Sequence, residues 1–168
     1  MLCVSVPDPL LRRETHCIFL LACILFACSK GGTRVSVPTD WKEVRVNDAF
    51  VFWIPPDLMP VDVRGPDSLV QRWESADMIV HLDYGRYSDP LTFYSRKKSY
   101  ESATKQISGY DGTLISFERE DGWRATAVHF PDVGRDSFGQ VLKLTLFVET
   151  APTVSREVPP MLVESVRF

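Results

Sequence analysis

The segment GQVLKLTLFVET, residues 139–150, has the clearest alternation of apolar and polar residues in the chain. Apolar side chains recur at every second position from Leu142 to Val148, and Lys143 and Thr145 occupy positions between them. Because successive side chains of a strand point to opposite faces, this alternation predicts a long strand with one apolar and one polar face.

Other strand-like segments lie on both sides of a polar middle region. WKEVRV and AFVFWIPPDL are rich in β-branched and aromatic residues, and Pro55-Pro56 ends the second of them. A further pair of strands is predicted at LVQRW and MIVHLDYG. GTLISFERE and WRATAVHFP flank Asp121-Gly122, a dipeptide typical of tight hairpins.

In MIVHLDYG the alternation places Val80, Leu82 and Tyr84 on one face and Ile79, His81 and Asp83 on the other.

One segment, SDPLTFYSRKKSYESATKQISG, predicts a long helix. Asp89 is a suitable N-cap with Pro90 at the first helical position, and Gly109 would end the helix in a left-handed conformation. Four apolar residues recur at helical spacing: Phe93, Tyr100, Ala103 and Ile107. We therefore expect one α+β domain over residues 40–168, with a largely antiparallel, twisted sheet covered by helices.

The amino-terminal segment resembles a bacterial lipoprotein signal. Arg12 and Arg13 precede the apolar run CIFLLACILFA, which is shorter than the roughly 20 residues of a membrane span. The run ends in LFAC, which is similar to the lipobox whose cysteine is acylated and becomes the new amino terminus. The expected organisation is a signal peptide over 1–27, acylation at Cys28, and a Gly- and Ser-containing tether over 28–39. A plain signal peptide cut near Ala27, or an uncleaved anchor, is the alternative.

This leader predicts a bacterial cell-envelope protein that is held on a membrane and faces away from the cytoplasm. Ser29 follows the cysteine, and the absence of Asp there resembles the class sorted to the outer membrane, where the organism has one. Several buried acyl chains give stable anchoring, since each methylene contributes about 0.8 kcal/mol.

Composition excludes several functions. All four cysteines lie at or before position 28, so the remaining chain has no disulfide framework, no thiolate metal site and no cysteine nucleophile. The net charge of −3 is unlike the basic footprint of nucleic-acid binding. We find no GxSxG motif, no phosphate-binding glycine loop and no HExxH motif, and therefore assign no catalytic residue and no cofactor.

The order of these elements resembles the Mog1/PsbP-like superfamily. The residues that carry the resemblance are WKEVRV and FVFWIPPDL near the start, DYG, YDGTLIS, LKLTLFVET and the terminal VESVRF. The resemblance implies an α/β/α sandwich built on a twisted antiparallel sheet. It implies protein binding as the common function, with no catalytic set to carry over.

Two groups of residues are candidate sites. His81 and Asp83 share a strand face, and with His129 on an adjacent strand they would form a two-histidine, one-carboxylate metal site. The alternative is that all three are ordinary polar positions on an open sheet face.

Candidate interface residues are Arg72 and Trp73, Trp123 near the hairpin, and the basic run Arg96, Lys97 and Lys98. The tryptophans would otherwise pack in the core, and the basic run would be a solvated face or a contact for anionic lipid or an acidic partner.

The leading hypothesis from sequence is a lipid-anchored, non-enzymatic envelope domain that binds another protein. A second hypothesis is a binding module for a small apolar or glycan ligand, with aromatic residues around Tyr84 to Tyr94. The third is an envelope hydrolase or metal-binding protein centred on His81, Asp83 and His129.

Overall fold

The computed structural model describes residues 35–168, and the predicted signal peptide, Cys28 and most of the tether lie outside the described residues. The described chain forms nine strands, a short 3-10 helix at Thr92–Arg96 and one α-helix, α1, at Val158–Glu164. The strands are β1 Lys42–Val46, β2 Phe50–Ile54, β3 Met59–Val61, β4 Leu69–Glu74, β5 Met78–Gly85, β6 Lys98–Ile107, β7 Tyr110–Glu118, β8 Arg124–Arg135 and β9 Val141–Thr150.

Seven of these strands form one sheet in the order β3-β4-β5-β9-β8-β7-β6, and every pairing in it is antiparallel. β9 lies at the centre, between β5 and β8. The remaining two strands, β1 and β2, form a separate antiparallel hairpin. The segment quoted above is therefore the strand around which the sheet is arranged.

One face of the sheet, which we call the inner face, carries the main core. Leu144, Leu146 and Val148 of β9 are fully buried there, in register with Tyr84, Leu82 and Val80 of β5. The β1–β2 hairpin and α1 cover this face. Their buried contributions to the same cluster are Val46, Phe50, Phe52, Ile54, Leu162 and Val163. The predicted face assignments in β5 and β9 are confirmed.

The opposite face, the outer face, is only partly covered. The segment 86–97, which connects β5 to β6, crosses it and buries Leu91 in a second, smaller cluster with Ile115, Phe117, Ala125 and Ala127. Beyond this segment the outer face of β5 and β9 is accessible. This uncovered part carries the site described below.

The predicted α+β class, with a sheet covered by helices, is wrong. Of the described residues, 51% lie in strands and 9% are helical, so the fold is nearly all sheet. The α/β/α layers that the family resemblance implies are not found within residues 35–168, where the only α-helix is the seven-residue α1. A β-hairpin supplies most of the cover that helices were expected to give.

The predicted helix over residues 89–109 is the main source of this error. Only Thr92–Arg96 is helical, as a single 3-10 turn, and Lys98–Ile107 is the edge strand β6. Phe93, which the helical stripe would bury, is 84% exposed. Gly109 does have positive φ, at 88°, but it forms the β6–β7 turn with Ser108, whose φ is 49°. That pair of left-handed residues is typical of a two-residue hairpin turn.

The hairpin predicted at Asp121-Gly122 is confirmed. Strands β7 and β8 pair in register from Glu118–Arg124 to Thr113–His129, and Gly122 has a φ of 83° in the connecting turn. The backbone N–H of Arg119 donates to the carbonyl oxygen of Trp123 at 2.7 Å and closes the turn.

Candidate functional site

A cleft of about 620 Å³ opens on the outer face of the sheet. Strands β5 and β9 form its floor, and the segment 86–97 and the carboxyl end of β7 form its walls. We call it the outer-face cleft, and its side chains come from His81, Asp83, Asp89, Tyr94, Lys97, Phe117, Arg119, Thr145, Phe147 and Glu149, among others.

Three aromatic rings form one wall of the cleft. The ring of Tyr94 stacks on Phe117, with centroids 5.1 Å apart and planes at 18°. It also tilts against Phe147 at 5.4 Å. Phe117 is buried, whereas Tyr94 and Phe147 are only half-buried. A ligand in the cleft would therefore meet the two half-buried rings.

Two aspartates hold the segment 86–97 against the floor. The backbone N–H of Asp89 donates to Asp83 Oδ2 at 3.1 Å. Asp89 in turn accepts hydrogen bonds from the N–H of Leu91 at 2.8 Å and from the hydroxyl of Tyr94 at 3.3 Å. Burial, and next the charge of Asp89, raise the pKa of Tyr94, so its hydroxyl stays a donor at neutral pH.

One carboxylate oxygen in the cleft has no partner. Asp83 Oδ1 is buried and accepts no hydrogen bond from any described residue. Leaving a buried acceptor unsatisfied costs on the order of 1–3 kcal/mol. A hydrogen-bond donor that reached this oxygen would recover this cost.

The charges around the cleft are mixed. Arg119 forms ion pairs with Glu149 at 2.5 Å and with Asp121 at 2.8 Å. Lys97 is exposed at the rim. The lining holds these two cationic side chains against three acidic ones, Asp83, Asp89 and Glu149. The cleft therefore offers no excess of positive charge to an anionic ligand.

A hydroxyl network lies beneath the cleft. The hydroxyl of Thr145 donates to the carbonyl oxygen of Asp89 at 2.7 Å and lies 2.7 Å from Ser88 Oγ. His129 Nδ1 lies 2.8 Å from the same Thr145 oxygen. The network ties the segment 86–97 to the centre of the sheet.

The three metal candidates are not brought together as a ligand set. His81 and Asp83 lie on the outer face of β5, and His129 lies on β8, with β9 between the two strands. Asp83, Thr145 and His129 are successive cross-strand partners, so a threonine separates the histidine from the carboxylate. Within residues 35–168 no three His, Cys, Asp or Glu side chains converge in a way that would hold a metal ion.

The two histidines give the fold a pH dependence. Burial is the main cause that lowers the pKa of both His81 and His129; the next cause is Arg72 for His81 and Lys143 for His129. At a pH just below the ordinary pKa of histidine, the two rings are therefore protonated less in the folded protein than in the unfolded chain. Below about pH 6.5, the ordinary pKa of histidine, we expect the free energy of unfolding to fall with pH.

Denaturant unfolding at a series of pH values between about 7.5 and 5 measures this effect. The His129→Asn variant should show a shallower slope of stability against pH than the wild type, whatever its absolute stability. Asp83 and Asp89 oppose the shift at His129. If they outweighed burial, stability would stay level or rise on acidification, and the assignment of a neutral His129 would be wrong.

The candidate interface residues lie in different parts of the molecule. Trp73 is 8% exposed and packs edge-on against Phe52 in the main core. Arg72 lies on the outer face, opposite His81, and forms an ion pair with Glu74. Trp73 is thus a core residue and no surface anchor, whereas Arg72 borders the floor strand of the cleft.

The other candidates lie near the strand ends. Trp123 is half-buried in the β7–β8 turn, with the Arg119 guanidinium 6.0 Å from its ring centre. Arg96, Lys97 and Lys98 are exposed at the start of β6. Lys98 is paired with Glu118 at 2.9 Å, whereas Lys97 reaches the cleft rim.

Sequence reasoning did not identify most of the cleft. Thr145, Phe147 and Glu149 alternate on β9, so their common face follows from the same periodicity that predicts the strand. The region from Tyr84 to Tyr94 was predicted to supply aromatic contacts for a ligand, but Asp89 was predicted only as a helix N-cap, because the segment around it has a helical pattern.

Comparison with known proteins gives little further information. No protein-family model matches the chain, and no curated protein matches it. A crystal structure of a protein from Bacteroides thetaiotaomicron is similar, with 11% sequence identity and a TM-score of 0.40. The match covers 71% of this chain and 44% of that protein, so this chain spans less than half of its length. In the described part of the chain, no helix has the length and hydropathy that crossing a membrane requires.

Proposed function

We propose that this protein is a lipid-anchored binding module of the bacterial cell envelope, and that the outer-face cleft binds a neutral, hydroxyl-rich ligand such as a saccharide. The observation that carries the proposal is the unpartnered Asp83 Oδ1 in a cleft that the half-buried rings of Tyr94 and Phe147 also line. The proposal joins the predicted address of the chain to the second of the sequence-based hypotheses.

A saccharide fits both chemical features of the cleft. Its hydroxyl groups are hydrogen-bond donors for Asp83 Oδ1, and the C–H face of its ring packs against aromatic side chains. Sites that combine apolar walls with a few placed polar groups are typical of small-ligand binding. The paired Arg119 and Glu149 add both donors and acceptors at the end of the cleft. The absence of excess positive charge favours a neutral sugar over an acidic one.

Titration with N-acetylglucosamine, its β-1,4-linked dimer and maltose tests the proposal. We expect at least one of them to bind the purified protein, and the Tyr94→Ala variant to bind it about tenfold more weakly because a ring contact is lost. Asp83→Asn should also weaken binding, because it replaces one acceptor oxygen by a donor.

Tyr87→Ala is the matched control, since Tyr87 is 70% exposed and is not part of the cleft lining. It should bind the sugar as the wild type does. Circular dichroism of each variant separates a lost contact from a lost fold. The proposal fails if none of the three sugars binds at about 10 mM, or if Tyr87→Ala and Tyr94→Ala weaken binding equally.

Protein binding is a second candidate, and a different observation supports it. Tyr87, Phe93 and Phe138 are 70%, 84% and 80% exposed. The loop that carries Tyr87 contacts the β8–β9 turn, because Arg86 pairs with Asp136 at 2.7 Å and lies 5.6 Å from the ring centre of Phe138. Exposed aromatic residues beside an arginine are typical interface anchors. A photo-reactive residue at position 138 should give one discrete protein adduct in intact cells, and a result without any adduct would remove this candidate.

A further inference from the structure

We infer that a second cleft, on the inner-face side between β6–β8 and α1, binds an oxyanion of carboxylate or phosphate type through Arg124 and Arg156. This cleft has a volume of about 730 Å³ and lies near the edge of the sheet that β6 forms. It shares only Phe117 with the outer-face cleft. The inference is therefore independent of the function proposed above.

Arg124 supplies an unused donor. Its guanidinium donates from Nη2 to the carbonyl oxygen of Val154 in the segment before α1, which fixes the side chain in place. Its Nε–H is buried and has no hydrogen-bond partner within residues 35–168. A buried donor without a partner costs on the order of 1–3 kcal/mol, and an anion that accepts from it would recover that cost.

The cationic charge in this cleft is also available. Neither Arg124 nor Arg156 forms an ion pair with any described residue. Glu118 is the cross-strand neighbour of Arg124, but its carboxylate pairs with Lys98 at 2.9 Å. Arg124 and Glu118 are thus in register but do not form an ion pair with each other.

Hydroxyl donors complete the lining. Ser116 and Thr126 are cross-strand partners on the inner face of β7 and β8, and both line the cleft beside the two arginines. Guanidinium and hydroxyl donors together match the geometry of a carboxylate or phosphate group. Two carboxylates also line the cleft: Glu118, whose charge is paired with Lys98, and Glu101, opposite Ser116 on β6, which adds a negative charge without an ion-pair partner within residues 35–168. This charge disfavours a multiply charged anion and favours a ligand with a single oxyanion group.

Titration of the purified protein with sodium phosphate and, separately, sodium acetate tests the inference at constant pH and ionic strength. The readout is the ¹⁵N–¹H resonance of Arg124 Nε, observed by NMR. We expect a saturable shift with at least one of the two anions, and which anion saturates distinguishes a phosphate site from a carboxylate site. Arg156→Gln should weaken the binding about tenfold through the loss of one charge-assisted contact.

Arg156 is exposed, so its substitution should leave the fold intact, and Arg124 remains as the reporter. The matched control is Arg135→Gln, since Arg135 is an exposed arginine of the β8–β9 end that is paired with Asp132 and lies outside the cleft. This variant should bind as the wild type does. A shift that stays linear with both anions, or that Arg156→Gln leaves unchanged, would overturn the inference.

Discussion

Alanine in place of Phe130 is expected to lower the free energy of unfolding by about 3–5 kcal/mol. Phe130 is completely buried at the inner face of β8, in register with Leu144, and its ring packs edge-on against Phe168 at 5.2 Å. Gly112 on β7 lies so close that an added Cβ would meet the Phe130 ring at 2.9 Å. The site is therefore tightly packed, and truncation leaves a cavity that the strands cannot close.

Denaturant unfolding measures this loss, and Phe138→Ala is the matched control. Phe138 is also a phenylalanine, but it is 80% exposed in the turn between β8 and β9. Its substitution should change the stability by no more than about 0.5 kcal/mol. Equal losses in the two variants would contradict the position of the core, whereas a large loss at Phe130 alone agrees with it.

Replacement of Cys28 by serine is expected to release the protein from the membrane fraction entirely. The prediction follows from the LFAC motif, since acylation requires the thiol of that one cysteine. The wild type expressed in a bacterium should have an intact mass that corresponds to cleavage before Cys28 plus acyl chains. The variant should lack the acyl mass and appear in the soluble fraction.

Cys23→Ser is the control for this experiment, because Cys23 lies in the same apolar run but outside the motif. It should be acylated and membrane-bound like the wild type. An unmodified mass for the wild-type protein, or the same loss in both variants, would remove the lipoprotein assignment. The proposed saccharide site would then have to be considered without a membrane address.

The strands of the sheet centre follow directly from the sequence. In β9 and β5 one face packs against a core and the other contacts solvent or polar groups. Apolar and polar residues therefore alternate along both strands. This is why the faces of Leu144 and Leu146, and of Val80 and Leu82, were predicted correctly. The β4–β5 and β7–β8 neighbours were predicted, whereas the position of β9 between β5 and β8 was not, because it depends on contacts far apart in the chain.

The edge strand β6 did not follow from the sequence, for the same physical reason. Eight of its ten residues are exposed, so no burial pattern marks it as a strand. Its residues contain a chance helical spacing, and Asp89-Pro90 and Gly109 are suitable helix ends. Asp89 instead accepts a hydrogen bond from the Leu91 N–H in the segment before the 3-10 helix, and Gly109 turns a hairpin. Local propensity was outweighed by the pairing of β6 with β7.

The outer-face cleft could be predicted only in part, because it depends both on the local alternation of side chains and on contacts between distant parts of the chain. His81 and Asp83 were predicted to share a face, and they do lie together on the cleft floor. The sequence paired them with His129 as metal ligands, whereas the fold inserts Thr145 between His129 and Asp83. The aromatic wall depends on the 3-10 turn that brings Tyr94 over Phe117, and nothing in the local pattern predicts that turn.

The most direct test of the outer-face cleft as a saccharide site is a map of amide chemical shifts as the tightest-binding sugar is added. We expect the largest changes in residues 81–83, 89–97 and 145–149, which form the floor and wall of the cleft. Amides near Arg124 and Arg156, in the second cleft, should stay unchanged. Largest changes on any other surface, such as the exposed edge strand β3, would contradict this expectation.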